Sequence, residues 1–128
     1  MILLDTHAWI WWSTSSSKLS KRAQKAINAS EIINISAISC WEVAMLVSRK
    51  RLVLDRDVEV WIDLALKLPR VRLVPLTPHI AVRSTRLEKG FTGDPADCIL
   101  VATALEYGSP VVSKDERLKH YPGLSVIW

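Results

Sequence analysis

Four acidic residues stand where an apolar segment ends or a helix begins: Asp5, Glu42, Asp97 and Asp115. Carboxylates brought together repel one another and raise each other's pKa, so such a cluster normally persists because a cation neutralises it. The donors are hard oxygens, and no His or Cys set with metal-ligand spacing accompanies them. Mg²⁺ or Mn²⁺ is therefore the expected ion, in preference to zinc. The hydroxyls of Thr6, Ser39 and Ser113 are placed to orient the carboxylates or a bound water. Asp94 reads first as a helix cap, with a water-mediated metal contact as its functional alternative. Singly, each acid has an ordinary explanation. Asp5 can cap a helix, Glu42 can partner Ser39 in a capping box, Asp97 suits a positive helix end, and Asp115 suits a turn. Those explanations do not account for convergence.

Other chemistries lack their residues. The chain has no Gly-rich phosphate loop, no G-x-S-x-G elbow and no H-E-x-x-H. His7, His79 and His120 are scattered. Only His7 falls near the acids, where a structural or substrate-contact role fits better than ligation. The net charge of +4 is a mild excess. With four acids set aside as metal ligands, the remaining body is more strongly basic. A basic body around an acidic pit suits a metal-dependent enzyme acting on a polyanion.

The elements that must position these acids follow from local pattern. Gly93-Asp94-Pro95 predicts a turn into a helix, with Asp94 as cap and Pro95 in the first helical position. Ile99 to Leu105 is apolar nearly all round, so this helix is expected to be buried and to end at Gly108. Met1 to Leu4 reads as a buried parallel strand, and Asp5 follows it directly. Ala8 to Trp12 reads as a short helix whose tryptophans serve the core or an interface. Leu19 to Ala29 is an amphipathic helix with a basic outer face. Ile32 to Ile35 is the second strand. The next helix covers about Cys40 to Lys50, with Ser39 and Glu42 as its capping box.

Further along, Asp57 to Leu68 is a helix stopped by Pro69. Val71 to Leu76 is a strand near a sheet edge because of Pro75. Thr77-Pro78 opens a helix expected to run to Gly90. Pro110 to Val112 is the fourth strand, followed by a short helix near Arg117 to Tyr121 and a terminal strand over Leu124 to Trp128. Strands alternate with helices through short links, which predicts one α/β domain around a mostly parallel sheet. In such sheets ligands bind at the carboxyl ends of strands, near the point where strand order reverses. All four acids are expected on that edge.

The 128 residues suffice for one core. No apolar run reaches the roughly 20 residues of a membrane span. Residues 1–12 lack the basic start and cleavage pattern of a signal peptide. Cys40 and Cys98 are expected to be small buried hydrophobes without a disulfide, which suits a reducing cytoplasm.

The ordered motifs now carry a resemblance. Met-Ile-Leu-Leu-Asp-Thr-His at 1–7, Ser39-x-x-Glu42, Gly93-Asp-Pro-Ala-Asp-x-x-Leu-Val-Ala-Thr-Ala104 and Ser113-Lys-Asp115 resemble the PIN-domain family, and within it the VapC toxins of bacterial type II toxin–antitoxin pairs. The likeness covers essentially the whole chain. It implies a three-layer α/β/α sandwich and Mg²⁺- or Mn²⁺-dependent endoribonuclease activity. It also implies a homodimer and inhibition by a small antitoxin. The family's acidic quartet falls on Asp5, Glu42, Asp97 and Asp115, with Thr6 and Ser113 as its hydroxyl neighbours. Relatives often carry Arg where Cys98 stands, a departure that bears on a local salt bridge or substrate contact.

The chemistry implied is metal-assisted hydrolysis of an RNA phosphodiester. Arg49, Lys50, Arg51, Arg83, Arg86 and Lys89 are candidates to follow the RNA backbone. The alternative is a non-catalytic RNA- or partner-binding module on the same fold. A phosphoryl-transfer domain with an Asp nucleophile fits poorly, because Asp5-Thr6-His7 is not Asp-x-Asp.

Overall fold

The computed structural model describes all 128 residues. Five short strands form one all-parallel sheet: β1 (Ile2–Leu4), β2 (Ile33–Ser36), β3 (Val71–Val74), β4 (Val111–Val112) and β5 (Val126–Ile127). Their order is β3-β2-β1-β4-β5. The chain builds outward from β1 in one direction and then returns to build outward in the other. The strand order therefore reverses beside β1, between it and β4.

The strands sort side chains by their period of two. Ile2 and Leu4 enter one core with Ile33, Ile35 and Val112, while Leu3 enters the other with Val111. The first core is closed by four helices: α1 (Thr6–Ser13), α2 (Lys21–Ala29), α3 (Ala37–Ser48) and α4 (Val58–Leu66). The second is closed by α6 (Pro95–Tyr107) and α7 (Glu116–Lys119), with α5 (Pro78–Ser84) packed on α6. This is the expected α/β/α sandwich. No helix is long and apolar enough to cross a membrane.

Several boundaries agree with local chemistry. Asp94 caps α6, Pro95 opens it, and Gly108 closes it in the left-handed conformation at φ 58°. Asp57 caps α4, and Thr77 caps α5 with Pro78 in its first turn. β3 lies at the sheet edge and stops before Pro75.

Other boundaries move. The helix after β2 begins at Ala37, because the Ser36 hydroxyl accepts the Ile38 N–H and caps it. Ser39 is thus inside the helix, the Ser39–Glu42 capping box does not form, and Glu42 falls in the second turn. α5 ends at Ser84, well before Gly90. The Tyr121 hydroxyl accepts the Glu88 N–H at 2.9 Å and holds that segment as a loop. α2 starts at Lys21 under Ser20, leaving Leu19 outside. Cys40 and Cys98 are free and only half-buried, at the margins of the cores.

Candidate active site

Parallel strands deliver their following residues to one edge. Leu4 pairs with Ile35 of β2 and Val112 of β4, so Asp5, Ser36 and Ser113 emerge side by side. The Asp5 N–H donates to the Val112 carbonyl at 3.1 Å, fixing Asp5 at the reversal point. α6 returns the chain to the start of β4, so its amino end lies over the same edge. A single cleft there is lined by Asp5, Thr6, Glu42, Asp94, Asp97 and Asp115, together with His7, Trp11, Lys114 and Arg117. The four acids and Asp94 therefore share one cleft, and Ser113 is buried next to it.

Each carboxylate is oriented by local structure. Asp5 Oδ1 accepts the Ala8 N–H at 2.8 Å and caps α1. Asp94 and Asp97 form a reciprocal capping box: the Asp97 N–H donates to Asp94 Oδ1 at 2.8 Å, and the Asp94 N–H donates to Asp97 Oδ2 at 3.2 Å. Asp115 caps α7 through the Arg117 N–H at 2.9 Å, and its own N–H donates to Ser113 Oγ at 3.0 Å. Glu42 is held differently. Thr6 Oγ1 lies 2.5 Å from Glu42 Oε1 and 3.0 Å from Ser39 Oγ. A hydroxyl has one proton, so Thr6 donates it to the carboxylate and accepts from Ser39. These contacts leave Glu42 Oε2, Asp94 Oδ2 and Asp97 Oδ1 without a protein donor.

Arg117 is the site residue that sequence reasoning missed. Its guanidinium donates to Asp115 through Nε at 3.1 Å and Nη2 at 2.7 Å, and the same Nη2 donates to Asp97 Oδ2 at 2.9 Å. Nη1 reaches the Thr92 carbonyl at 3.3 Å. The one signal for it was its place two residues after Asp115, at the start of a short helix. The guanidinium beside Asp97 is thus supplied by α7, from 20 residues further along the chain. Gly93, expected in the turn before α6, has a second role. A Cβ there would stand 2.4 Å from the Phe91 ring and 2.8 Å from Asp97 Cβ, so only glycine lets the loop approach Asp97 this closely.

The electrostatics divide the quartet. Desolvation pushes the Asp5, Glu42 and Asp97 carboxyls above their ordinary range. Ser113 opposes the shift at Asp5, Thr6 opposes it at Glu42, and the Asp94 charge adds to it at Asp97. Asp115 is held low by hydrogen bonds from Arg117. Arg117 itself is raised by its two carboxylate partners, Asp115 above all.

The expectation of four carboxylates crowded within a few ångströms is met only in part. They line one cleft, but no three acidic, His or Cys side chains are gathered closely enough to grip one ion together. Arg117 occupies Asp97 and Asp115 instead. The donor chemistry still suits a hard divalent cation, since Glu42, Asp94 and Asp97 each keep a carboxylate oxygen without a protein donor. An ion drawing on Asp97 and Asp115 has to share them with Arg117. That guanidinium is 45% exposed, so solvent screens its ion pairs.

An acidic cleft at the reversal point of a parallel α/β/α sandwich defines the class of molecule. The chain belongs to the PIN-domain family, whose model matches residues 2–124. It is 36% identical over 129 residues to ribonuclease VapC22 of Mycobacterium tuberculosis, an alignment covering 99% of this chain and 98% of that protein. Among solved structures it resembles VapBC2 of Rickettsia felis bound to a promoter DNA fragment, with a TM-score of 0.73 and 18% identity over 98% of this chain and 97% of the other. It also resembles VapC20 of M. tuberculosis, a toxin that cleaves the sarcin–ricin loop, with a TM-score of 0.67 and 14% identity over 98% and 99% of the two chains. At these identities the structural likeness is one of fold.

Proposed function

We propose that the protein is a Mg²⁺- or Mn²⁺-dependent endoribonuclease and the toxin of a type II toxin–antitoxin pair. The observation that carries this reading is the cleft itself: three carboxylates desolvated at the carboxyl edge of the sheet, with cationic compensation concentrated on the fourth. Such an arrangement is costly unless a cation is its purpose. Whole-chain identity to a ribonuclease supports RNA as the substrate. The toxin–antitoxin complexes among its fold neighbours support a small antitoxin partner. We extend the reading to a homodimer working in the cytoplasm.

Asp5, Glu42, Asp97 and Asp115 would hold the ion by closing on it as Arg117 gives way, and Asp94 serves as the cap that aims Asp97. When bound, the ion supplies a more acidic water and charge stabilisation on the phosphoryl oxygens. The chain contributes orientation. α1 fixes Asp5 by its cap, and Thr6 holds Glu42 while Ser39 holds Thr6. Once the ion displaces it from the carboxylates, Arg117 would turn toward a phosphate, whose geometry its planar fork also matches.

Chelation tests the reading directly. Protein stripped with EDTA should leave RNA intact, and Mg²⁺ or Mn²⁺ should restore endonucleolytic cleavage and raise the Tm. Cleavage indifferent to chelation points to a metal-free nuclease. RNA binding with no metal-dependent product points to the non-catalytic module. A second expectation concerns Thr6. Thr6→Val keeps the shape but removes the hydroxyl between Glu42 and Ser39. Cleavage should fall by about 10–100-fold, as when a group that orients a metal ligand is lost. Single-turnover rates with saturating metal would measure it, and wild-type rates would dismiss Thr6 as a positioning residue.

A further inference from the structure

The acidic cleft does not end at the carboxylates. His7 and Trp11, one turn apart on α1, both line it, and their rings lie 5.5 Å apart. Trp11 in turn meets Trp128, just beyond β5, with ring centroids 5.7 Å apart. Trp128 lines a second cleft that also carries Arg22, Lys114 and Lys119. Lys114 and Asp115 belong to the walls of both clefts, so the two adjoin across these residues. An aromatic ladder thus runs out of the acidic pit into a basic channel.

The charges of that channel are unspent. Arg22, Lys114 and Lys119 are exposed, and none of them forms an ion pair. The wall's other acid, Glu116, lies 3.6 Å from His120. Four of the basic residues expected from sequence are placed less well. Arg49, Lys50 and Arg51 lie past the far end of α3, which leads away from the cleft, and Arg83 is paired with Glu106 at 2.8 Å. Trp11 and Trp128 pack against the first core and are half-buried, while both line the clefts. An indole fixed on one side and bordering a cleft on the other is a rigid surface for a flat ring.

We infer that single-stranded RNA runs along this channel to the acidic cleft, its bases stacking on Trp128 and Trp11 and its phosphates meeting Arg22, Lys114 and Lys119. The inference rests on the ribonuclease reading and adds the path of the substrate. Cations interleaved with aromatic rings are the chemistry of single-strand binding, because every base has a face to stack. A duplex keeps its bases stacked on one another and offers those rings nothing.

The test uses an RNA of about 10 nucleotides carrying a fluorescent purine analogue. It is measured with full-length protein in the Asp97→Asn background, so that the RNA stays whole in Mg²⁺. The parent should quench the analogue on binding. Trp128→Leu should lose the quenching and bind about ten-fold more weakly, while Trp128→Phe should retain most of both. Arg22→Ala should lower the slope of log affinity against log salt by about one. The same sequence as duplex RNA should bind more weakly and ignore Trp128. Thermal melts confirm that each variant folds, and Arg22→Ala, fully at the surface, decides the matter if Trp128→Leu does not.

Cleavage by the wild type together with unchanged quenching and affinity in Trp128→Leu overturns the channel and leaves the nuclease reading standing. An unchanged salt slope in Arg22→Ala overturns the phosphate path in the same way. Equal binding of duplex, with equal dependence on Trp128, overturns the single-strand assignment. Wild-type protein that neither binds nor cuts RNA overturns both readings together.

Discussion

Asp97→Asn protein should fold like the wild type and leave RNA uncut. Asn keeps a side-chain oxygen able to accept the Asp94 N–H, so the capping box at the start of α6 survives in outline. The charge that would bind the cation is gone. Cleavage should therefore fall by more than the roughly 10–100-fold expected for a residue that only orients a ligand. Full activity in the purified variant would falsify the assignment. Asp5→Asn makes a sharper companion. Asn caps helices as well as Asp does, so α1 keeps its start. Desolvation raises the Asp5 pKa in the folded state, so folding favours the protonated acid. The stability this contributes is complete below the unfolded pKa and is lost as pH rises through the folded one. Above the folded pKa the metal-free wild type has therefore lost it, whereas Asn carries no charge to desolvate at any pH. Metal-free Asp5→Asn should melt above metal-free wild type. Adding Mn²⁺ should raise the wild-type Tm but not that of the variant. A lower Tm for Asp5→Asn without metal would contradict this electrostatic account.

Trp9→Ala should cost about 3–5 kcal/mol of folding stability. Domains of this size are stable by only about 5–15 kcal/mol, so a large share of the molecule's stability is at stake. Trp9 is fully buried, and its ring meets Trp61 of α4 at a centroid distance of 5.3 Å. It joins α1, the sheet and α4 in one core, and truncation leaves a cavity those rigid elements cannot close. Trp9→Phe should cost clearly less. The Trp9 Nε1–H has no protein acceptor, so Phe breaks no hydrogen bond within the protein. Urea unfolding of both variants measures the difference. A Trp9→Ala midpoint close to that of wild type would show that this core collapses around the gap. Trp9 lies within one turn of Asp5 and Thr6, so the same packing that stabilises the domain fixes the start of the acidic cleft.

How far these features were legible depends on how far apart in the chain their causes lie. Asp94, Pro95 and Gly108 set the limits of α6 by contacts within a few residues, and sequence located that helix correctly. The apolar strand segments and their alternation with helices predicted a parallel sheet. The rule that ligands gather at carboxyl ends then put Asp5, Glu42, Asp97 and Asp115 on one edge. Distant partners decided the rest. Tyr121 ends α5 early by a bond to Glu88, 33 residues away. Ser39 leaves its predicted capping role for Thr6, also 33 residues distant. Arg117 reaches Asp97 across 20 residues, and Trp128 meets Trp11 from the other end of the chain.

Sequence by itself determined the starts of α4, α5 and α6, the strand cores and the acids at their ends, because capping and periodicity act between near neighbours. Only the tertiary structure decided which cation sits on those acids and which rings and charges continue the cleft. Such contacts exist only once the sheet has brought remote segments to a common edge.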